Sequence, residues 1–451
     1  MAPINTQSSQ DIVLFNRLER YHGRRSRYIA QSRKTVPKPE KASFMSIYFE
    51  QSLKLHRQLR GKWSIQSKFP LNNRDDLCVA YTPGVASVCQ AIDANICEAY
   101  SSTLKGNSVA IVSDGSAVLG LGNIGPQAAL PVMEGKAILF KTFADIDGVP
   151  IVVDAKSSAE IITTVKAIAP TFGGINLEDI AAPTCFEVEE ALQDIGIPVF
   201  HDDQHGTAIV LLGALINAAK VINKPLSELN VVINGAGAAG TAIAKLLLGV
   251  GHDSGTFTAV ADVLLCDSKG IISADRTDLN RFKTDMLQWS NKQNRSGDLK
   301  AALKGADVFI GVSKGNLLTS ADIQTMAPDA IIFAMANPIP EIMPDDAKAG
   351  GAAVIGTGRS DFPNQVNNVL AFPGIFRGAL DSMAVRITER MKIAAARALA
   401  NAVAEDELCA DKILPDALDK RVAGIVARAV SECALEEGVV HDVCKPVLPS
   451  S

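Results

Sequence analysis

The run Val231–Gly240, VVINGAGAAG, restricts the fold of this chain more than any other stretch. An apolar strand leads without a break into Gly235, Gly237 and Gly240, and a small-residue helix, TAIAKLLLGV, follows at once. Glycines at such spacing let the backbone approach a pyrophosphate, which then rests on a helix N-terminus. A second strand, VADVLLCD, ends in Asp267, where an acid meets the hydroxyls of an adenosine ribose. Two further apolar strands, DVFIGVS and AIIFAMANP, are separated by helical stretches, the alternation of a doubly wound parallel sheet. The turn Gly235, Ala236, Gly237, Ala238, Ala239 and Gly240, with Asp267, is therefore the expected dinucleotide site.

A competing fingerprint lies upstream. VAIVSDG reads as strand and turn, and GLGNIG (Gly120, Gly122, Gly125) matches the same glycine spacing before a helix that opens at Pro126. It lacks the train of later strands, so the nucleotide is assigned to Gly235–Gly240 and GLGNIG is read as a packed turn near the substrate. AIIFAMANP ends in Asn337, at a carboxyl end of a strand where ligands gather in open parallel sheets. Asn367 and Asn368, in the later loop DFPNQVNNVLAFPG, reach the same crevice or simply form a turn.

Gly173–Ile209 concentrates carboxylates and histidines in an apolar setting: Glu178 and Asp179 are adjacent, and Asp202 and Asp203 lie between His201 and His205. Acids in such a segment are costly to desolvate unless a positive charge sits among them, and a divalent metal is the economical answer. The run Thr207–Ala219 that follows is too short to span a membrane, which takes roughly 18 apolar residues, and reads as a buried helix.

With 451 residues, two domains are expected, with a helical appendage. A net charge of -5 argues against nucleic-acid or anionic-membrane partners. Eight cysteines without a C-x-x-C pair or regular spacing suggest neither a zinc ribbon nor a secreted disulfide framework, so a reducing compartment is expected. Residues 1–44 form a basic arm without the apolar core of a secretory signal: a disordered tail, a transit segment, or sequence upstream of a start codon at Met45. From Met45, Ile47, Phe49, Leu53 and Leu55 suit an amphipathic helix. Tyr81 precedes the turn Thr82-Pro83-Gly84 and, on spacing alone, is an ordinary core tyrosine; Lys136, in MEGKAIL, would be an ordinary helix-surface lysine. After Gly378 the chain is Ala-rich and helical, the usual material of a core cover or subunit interface.

From about Met45 to Val443 the chain resembles the short, bacterial-type malic enzymes, through AYTPGVA, VSDGSAVLGLGNIGPQAALPVMEGKAILFK, PTFGGINLEDI, VFHDDQHGTAI, NGAGAAG, FAMANP and NQVNNVLAFPG in that order. The resemblance implies an α/β fold: an N-terminal α/β substrate and metal domain (45–205), a doubly wound Rossmann-type NAD(P)-binding domain (206–375) and C-terminal helices (376–451). It implies oxidative decarboxylation of (S)-malate to pyruvate and carbon dioxide, with NAD or NADP and Mg²⁺ or Mn²⁺. The implied metal ligands are Glu178, Asp179 and Asp203, hard oxygens suited to a hard cation. A zinc or iron site on His201 and His205 is the minor alternative. Lys136 matches the family's general base and Tyr81 its general acid, and burial beside a cation is expected to lower the lysine's pKa. Asp202 is expected to orient Lys136.

Where the larger eukaryotic type has an arginine for a malate carboxylate, this chain has Ala117, which leaves Asn337 and Asn368 as candidates for substrate binding. Gly251–Thr258 looks like a small insertion beside the cofactor helix. Asp267 favours NAD, Ser268 and Lys269 can accommodate the 2′-phosphate of NADP, and the DSKG run tilts the choice to NADP. A homodimer or higher homo-oligomer and a cytoplasmic location, or an organelle matrix if residues 1–44 are a transit segment, are expected. The competing readings are a malolactic-type decarboxylase releasing lactate and a non-catalytic nucleotide-binding protein on the same fold.

Overall fold

The computed structural model describes residues 44–118, 121–252 and 257–441. The chain divides into two units, Met1–Arg60 and Gly61–Ser451. In the first, helix α1 (Phe44–Leu59) forms as its apolar spacing predicts, yet Phe49 and Leu53 stay exposed. Most of the basic arm, and residues 253–256 of the suspected insertion, lie outside the described residues.

The second unit is built on two sheets. After the short helices α2 (Arg74–Ala80) and α3 (Val85–Ala94), strand β1 (Ser108–Ser113) leads through the glycine-rich loop to helix α4 (Pro126–Ala144) and back to β2 (Asp147–Val152). Helix α5 (Ser158–Ile168), β3 (Gly174–Leu177), α6 (Thr184–Leu192) and β4 (Val199–His201) complete a parallel sheet of order β2-β1-β3-β4. GLGNIG thus does have later strands behind it, contrary to the sequence expectation. The difference arises because β3 and β4 are only four and three residues long, too short for periodicity to announce them.

Helix α7 (Thr207–Val221) joins the sheets and is buried on nearly every side, which is why its sequence is apolar all round. The larger sheet has the order β10-β9-β8-β5-β6-β7, with β5 (Asn230–Asn234), β6 (Asp262–Asp267), β8 (Val308–Gly311), β9 (Ile331–Ala334) and β10 (Val354–Thr357) parallel and the two-residue β7 (Gly270–Ile271) antiparallel at one edge. The order reverses at β5, so the crevice above β5 and β8 is its switch point. Helix α8 (Ala238–Leu247) starts from that crevice.

Helices α9 (Phe372–Asp381), α10 (Glu389–Asn401) and α11 (Arg421–Glu437) pack together, and Phe372 and Phe376 of α9 meet Phe140 of α4 edge-on. The side-chain amide of buried Asn217 on α7 donates to Ala400 O (2.8 Å) and Ile413 O (3.0 Å), tying α7 to the end of α10. Asn217→Ala strands both carbonyls and is expected to cost about 1–3 kcal/mol of stability, read from the urea midpoint. Among the described residues no helix is long and apolar enough to cross a membrane. Among the described residues six cysteines are free thiols and Cys97 is disulfide-bonded.

Candidate active site

Three structural devices bring the acids together. Strand β3 ends at Leu177, so Glu178 and Asp179 emerge at its carboxyl end, and Asp179 takes a left-handed φ of 54° that turns the chain. Strand β4, beside β3, ends at His201, and residues Asp202–Gly206 form a single π-helical turn before α7. Such turns re-aim side chains within a helix start. Gly206 is required there, because a Cβ would fall 1.9 Å from Asp202 Oδ1. The glycine-rich loop after β1 closes the third side: Ala117 N donates to Asp179 O (3.0 Å), and Ala181 N donates to Ser116 Oγ (2.8 Å). GLGNIG therefore adjoins the acidic cluster, although Gly120 lies outside the described residues.

Glu178, Asp179 and Asp203 each offer an oxygen within 4.8 Å of the others, the one such cluster of metal-ligating groups among the described residues. Asp179 N donates to Asp203 Oδ2 (2.8 Å), which fixes the two acids relative to each other. Burial, and the charges of Asp203, Asp202 and Asp179, hold the Glu178 carboxyl well above the usual carboxylate range despite Lys136 beside it. An acid so placed gains from a cation, and the all-oxygen set fits a hard divalent ion such as Mg²⁺ or Mn²⁺.

Lys136 is not the surface lysine that spacing alone suggests. It is 8% exposed on α4, and its Nζ bonds Asp202 Oδ2, lies 3.1 Å from Glu178 Oε1 and sits 4.4 Å from the Phe372 ring centroid. Burial alone would lower its pKa, but Asp202, Glu178 and Asp203 outweigh burial and raise it above the ordinary lysine range. The expectation of a lowered pKa presumes a cation beside the lysine. A cation on Glu178 and Asp203 cancels two of the three raising charges and restores the weight of burial. Asp202, pushed up to about 6 by burial against the pull of Lys136, also accepts from Asn368 Nδ2. Asn367 instead accepts from Val369 N (3.0 Å), the bland turn role.

The histidines take no part in the cluster. His205 Nε2 is 2.7 Å from Glu189 Oε1 on α6, and Lys392 Nζ on α10 stands 3.2 Å from its Nδ1. Burial favours the neutral acid at Glu189, yet His205 and Lys392 pull it down to about 2. His201 is fully buried, with Nδ1 3.9 Å from Asp203 Oδ2, and burial lowers its pKa. Glu189 and Lys392 escaped sequence reasoning because nothing local marks side chains of distant helices that meet at one histidine. Asn176, which donates to Glu178 Oε2 (2.9 Å), was findable as a lone amide within an apolar strand.

At the nucleotide crevice, the strand–turn–helix geometry fits a pyrophosphate. Gly237 caps α8 without a side-chain hydrogen bond and has open space where a Cβ would point, whereas a Cβ on Gly240 would meet Gly235 O at 1.7 Å. Asn337 is exposed just beyond β9, and among the described residues no hydrogen bond ties it to the Lys136 cluster. Behind it, buried Glu341 accepts from Ser313 N (3.1 Å) and Ala336 N (3.0 Å), clamping the ends of β8 and β9. Gly311 is needed for this, since its Cβ would lie 2.2 Å from the Glu341 carboxyl carbon. Asp267 is held by Arg276 (2.8 and 3.0 Å) and Lys283 (2.7 Å); burial raises it, but these bonds bring it to about 2.

Tyr81 stands apart. It follows α2, is 66% exposed, and its hydroxyl has no hydrogen-bond partner among the described residues. It is neither a core tyrosine nor a bonded member of the Lys136 cluster.

Residues 60–193 match the malic enzyme N-terminal domain and residues 204–435 the malic enzyme NAD binding domain. A bifunctional malic/malolactic enzyme of Bacillus subtilis is 55% identical over 399 residues, 88% of this chain and 95% of the relative. An NAD-dependent malic enzyme of Geobacillus stearothermophilus is 53% identical, over 86% of this chain and 79% of the relative. The crystal structure of a malic enzyme from Pyrococcus horikoshii Ot3 superposes with a TM-score of 0.82 at 46% identity, covering 87% of this chain and 92% of that one. The two matched ranges together take in most of the chain, and this chain is a member of the malic enzyme family.

Proposed function

We propose that this chain oxidises and decarboxylates (S)-malate to pyruvate and carbon dioxide with NAD(P)⁺ as the hydride acceptor. Residues 45–205 supply the substrate and metal site, and residues 206–375 the nucleotide site. The observation that carries this reading is the ammonium of Lys136 set against Asp202 and Glu178 at the rim of a three-carboxylate cluster. When bound, the nucleotide would supply the hydride acceptor, and a cation held by Glu178, Asp179 and Asp203 would supply Lewis acidity toward the C2 oxygen and toward the charge left as carbon dioxide departs.

The protein's own groups move the protons. With a cation offsetting Glu178 and Asp203, burial would favour the neutral amine, whose Nζ then accepts the C2 hydroxyl proton, and Asp202, itself held by Asn368, fixes the position of that nitrogen. Tyr81 returns a proton to C3. Asn337 and Asn368 are the amides proposed for the malate carboxylates, and Gly235–Gly240 cradles the pyrophosphate. Asp267, already neutralised by Arg276 and Lys283, opposes a 2′-phosphate far less than a lone acid would, which favours NADP. The active form is a homo-oligomer, at least a dimer.

A second reading has a specific observation behind it: the Bacillus subtilis relative is named for malolactic as well as malic activity. Malate and Mn²⁺ supplied with either nucleotide separate the two. Pyruvate equal to reduced nucleotide, with higher kcat/KM for NADP⁺, is the expected result. Lactate without net reduced nucleotide would establish the second reading, and neither product would overturn both.

A further inference from the structure

Asp203 reaches the acidic cluster by a different route from Glu178 and Asp179. Those two leave the end of β3, a strand paired on one side by β1 and on the other by β4. Asp203 is carried instead by the π-helical turn Asp202–Gly206, where Asp179 N donates to its Oδ2 (2.8 Å). A π turn closes on i→i+5 bonds, so relaxing it to the i→i+4 winding of an α-helix re-aims the side chains it carries. The shape of this turn therefore depends on what holds its far end, and there stands His205.

His205 is held by two groups from elements distant in the chain. Glu189 Oε1 on α6 lies 2.7 Å from Nε2, and Lys392 Nζ on α10 lies 3.2 Å from Nδ1. An ammonium can only donate, so Nδ1 accepts and Nε2 carries the hydrogen that goes to the carboxylate. The two partners thus select one tautomer and one orientation of the ring. Lys392 is 6% exposed and is itself held by Glu389 Oε1, 2.6 Å from Nζ. The Phe200 ring packs beside the imidazole, 5.6 Å away between centroids. Apolar side chains of equal volume commonly pack such helices at no loss of stability, so these charges are not needed merely to seat α10. What they supply is a fixed His205 two positions from Asp203.

We infer that Glu189 and Lys392 are positioning residues of the metal centre: clamping His205 at its two ring nitrogens, they hold the π-helical turn in the shape that presents Asp203 to the cation. The inference rests on Glu178, Asp179 and Asp203 being the ligands. Binding of Mn²⁺ to the full chain without malate or nucleotide, followed by the electron paramagnetic resonance of the free ion, tests it. Lys392→Met and Glu189→Gln are each expected to raise the Kd for Mn²⁺ about 10- to 100-fold, the range for loss of a group that supports a metal ligand. Lys392→Arg keeps a cationic donor for Nδ1 and is expected to recover most of the affinity. NADP⁺ binding, followed by fluorescence, is expected to be unchanged in all three. A network that only seats α10 would lower the melting temperature of the variants and leave the Mn²⁺ Kd of the folded protein where it was. That result overturns the clamp, and should one of the two variants fail to fold, the other decides. Asp203→Asn separates this inference from the ligand assignment. Wild-type Mn²⁺ binding in Asp203→Asn removes the assignment and the clamp together, whereas lost binding there with unchanged binding in the clamp variants overturns the clamp alone.

Discussion

Lys136→Met is expected to lower kcat for malate oxidation by about 10²- to 10⁴-fold, the range for loss of a positioned general base. Methionine keeps an apolar stem against Phe372 but has no nitrogen to take the hydroxyl proton. The substitution also removes the cation that faces Asp202 and Glu178, both buried. Folding must therefore be checked by circular dichroism, and nucleotide binding by fluorescence, which the change should leave intact because Gly235–Gly240 belongs to the other sheet. Wild-type turnover in a folded Lys136→Met protein would remove Lys136 from the mechanism.

A divalent cation is expected to stabilise the protein, and more so at pH 7 than near pH 4.5. Glu178 and Asp202 are acids whose folded pKa is raised, Asp202 to about 6, against about 4 in an unfolded chain. Between those values the folded, cation-free protein holds protons that the unfolded chain has released. Its stability therefore falls as pH rises through that window. A cation offsets the charge that causes the loss, and saturating it at 100 times Kd adds about 2.7 kcal/mol. Calorimetric melting with and without Mn²⁺ at the two pH values measures the effect, and Asp203→Asn should abolish most of the Mn²⁺ increment. Equal increments at both pH values would sink the account of the cluster.

Tyr81 shows the limit of reading such a chain by local pattern. AYTPGVA marked it as a residue at a turn, and its surroundings suggested a core position. Its exposure in the folded chain follows from its place between two short helices that bury no residue among the described residues.

The nucleotide sheet was legible because each of its features is local: apolar strands, a glycine turn, and an acid at a strand end recur within a few dozen residues. The acids of the metal cluster were legible for a similar reason, since unpaired carboxylates stand out against apolar neighbours. The environment of Lys136 was not. Its burial, its bonds to Asp202 and Glu178, and the raised pKa that results depend on α4, β3, the π-helical turn and α9 meeting in space. The same holds for the pairing of His205 with Glu189 on α6 and its hydrogen bond with Lys392 on α10, groups 16 and 187 positions away. Backbone preference and side-chain chemistry act over a few residues and are written in the sequence; desolvation and Coulomb coupling act through space, so only the tertiary structure decides them.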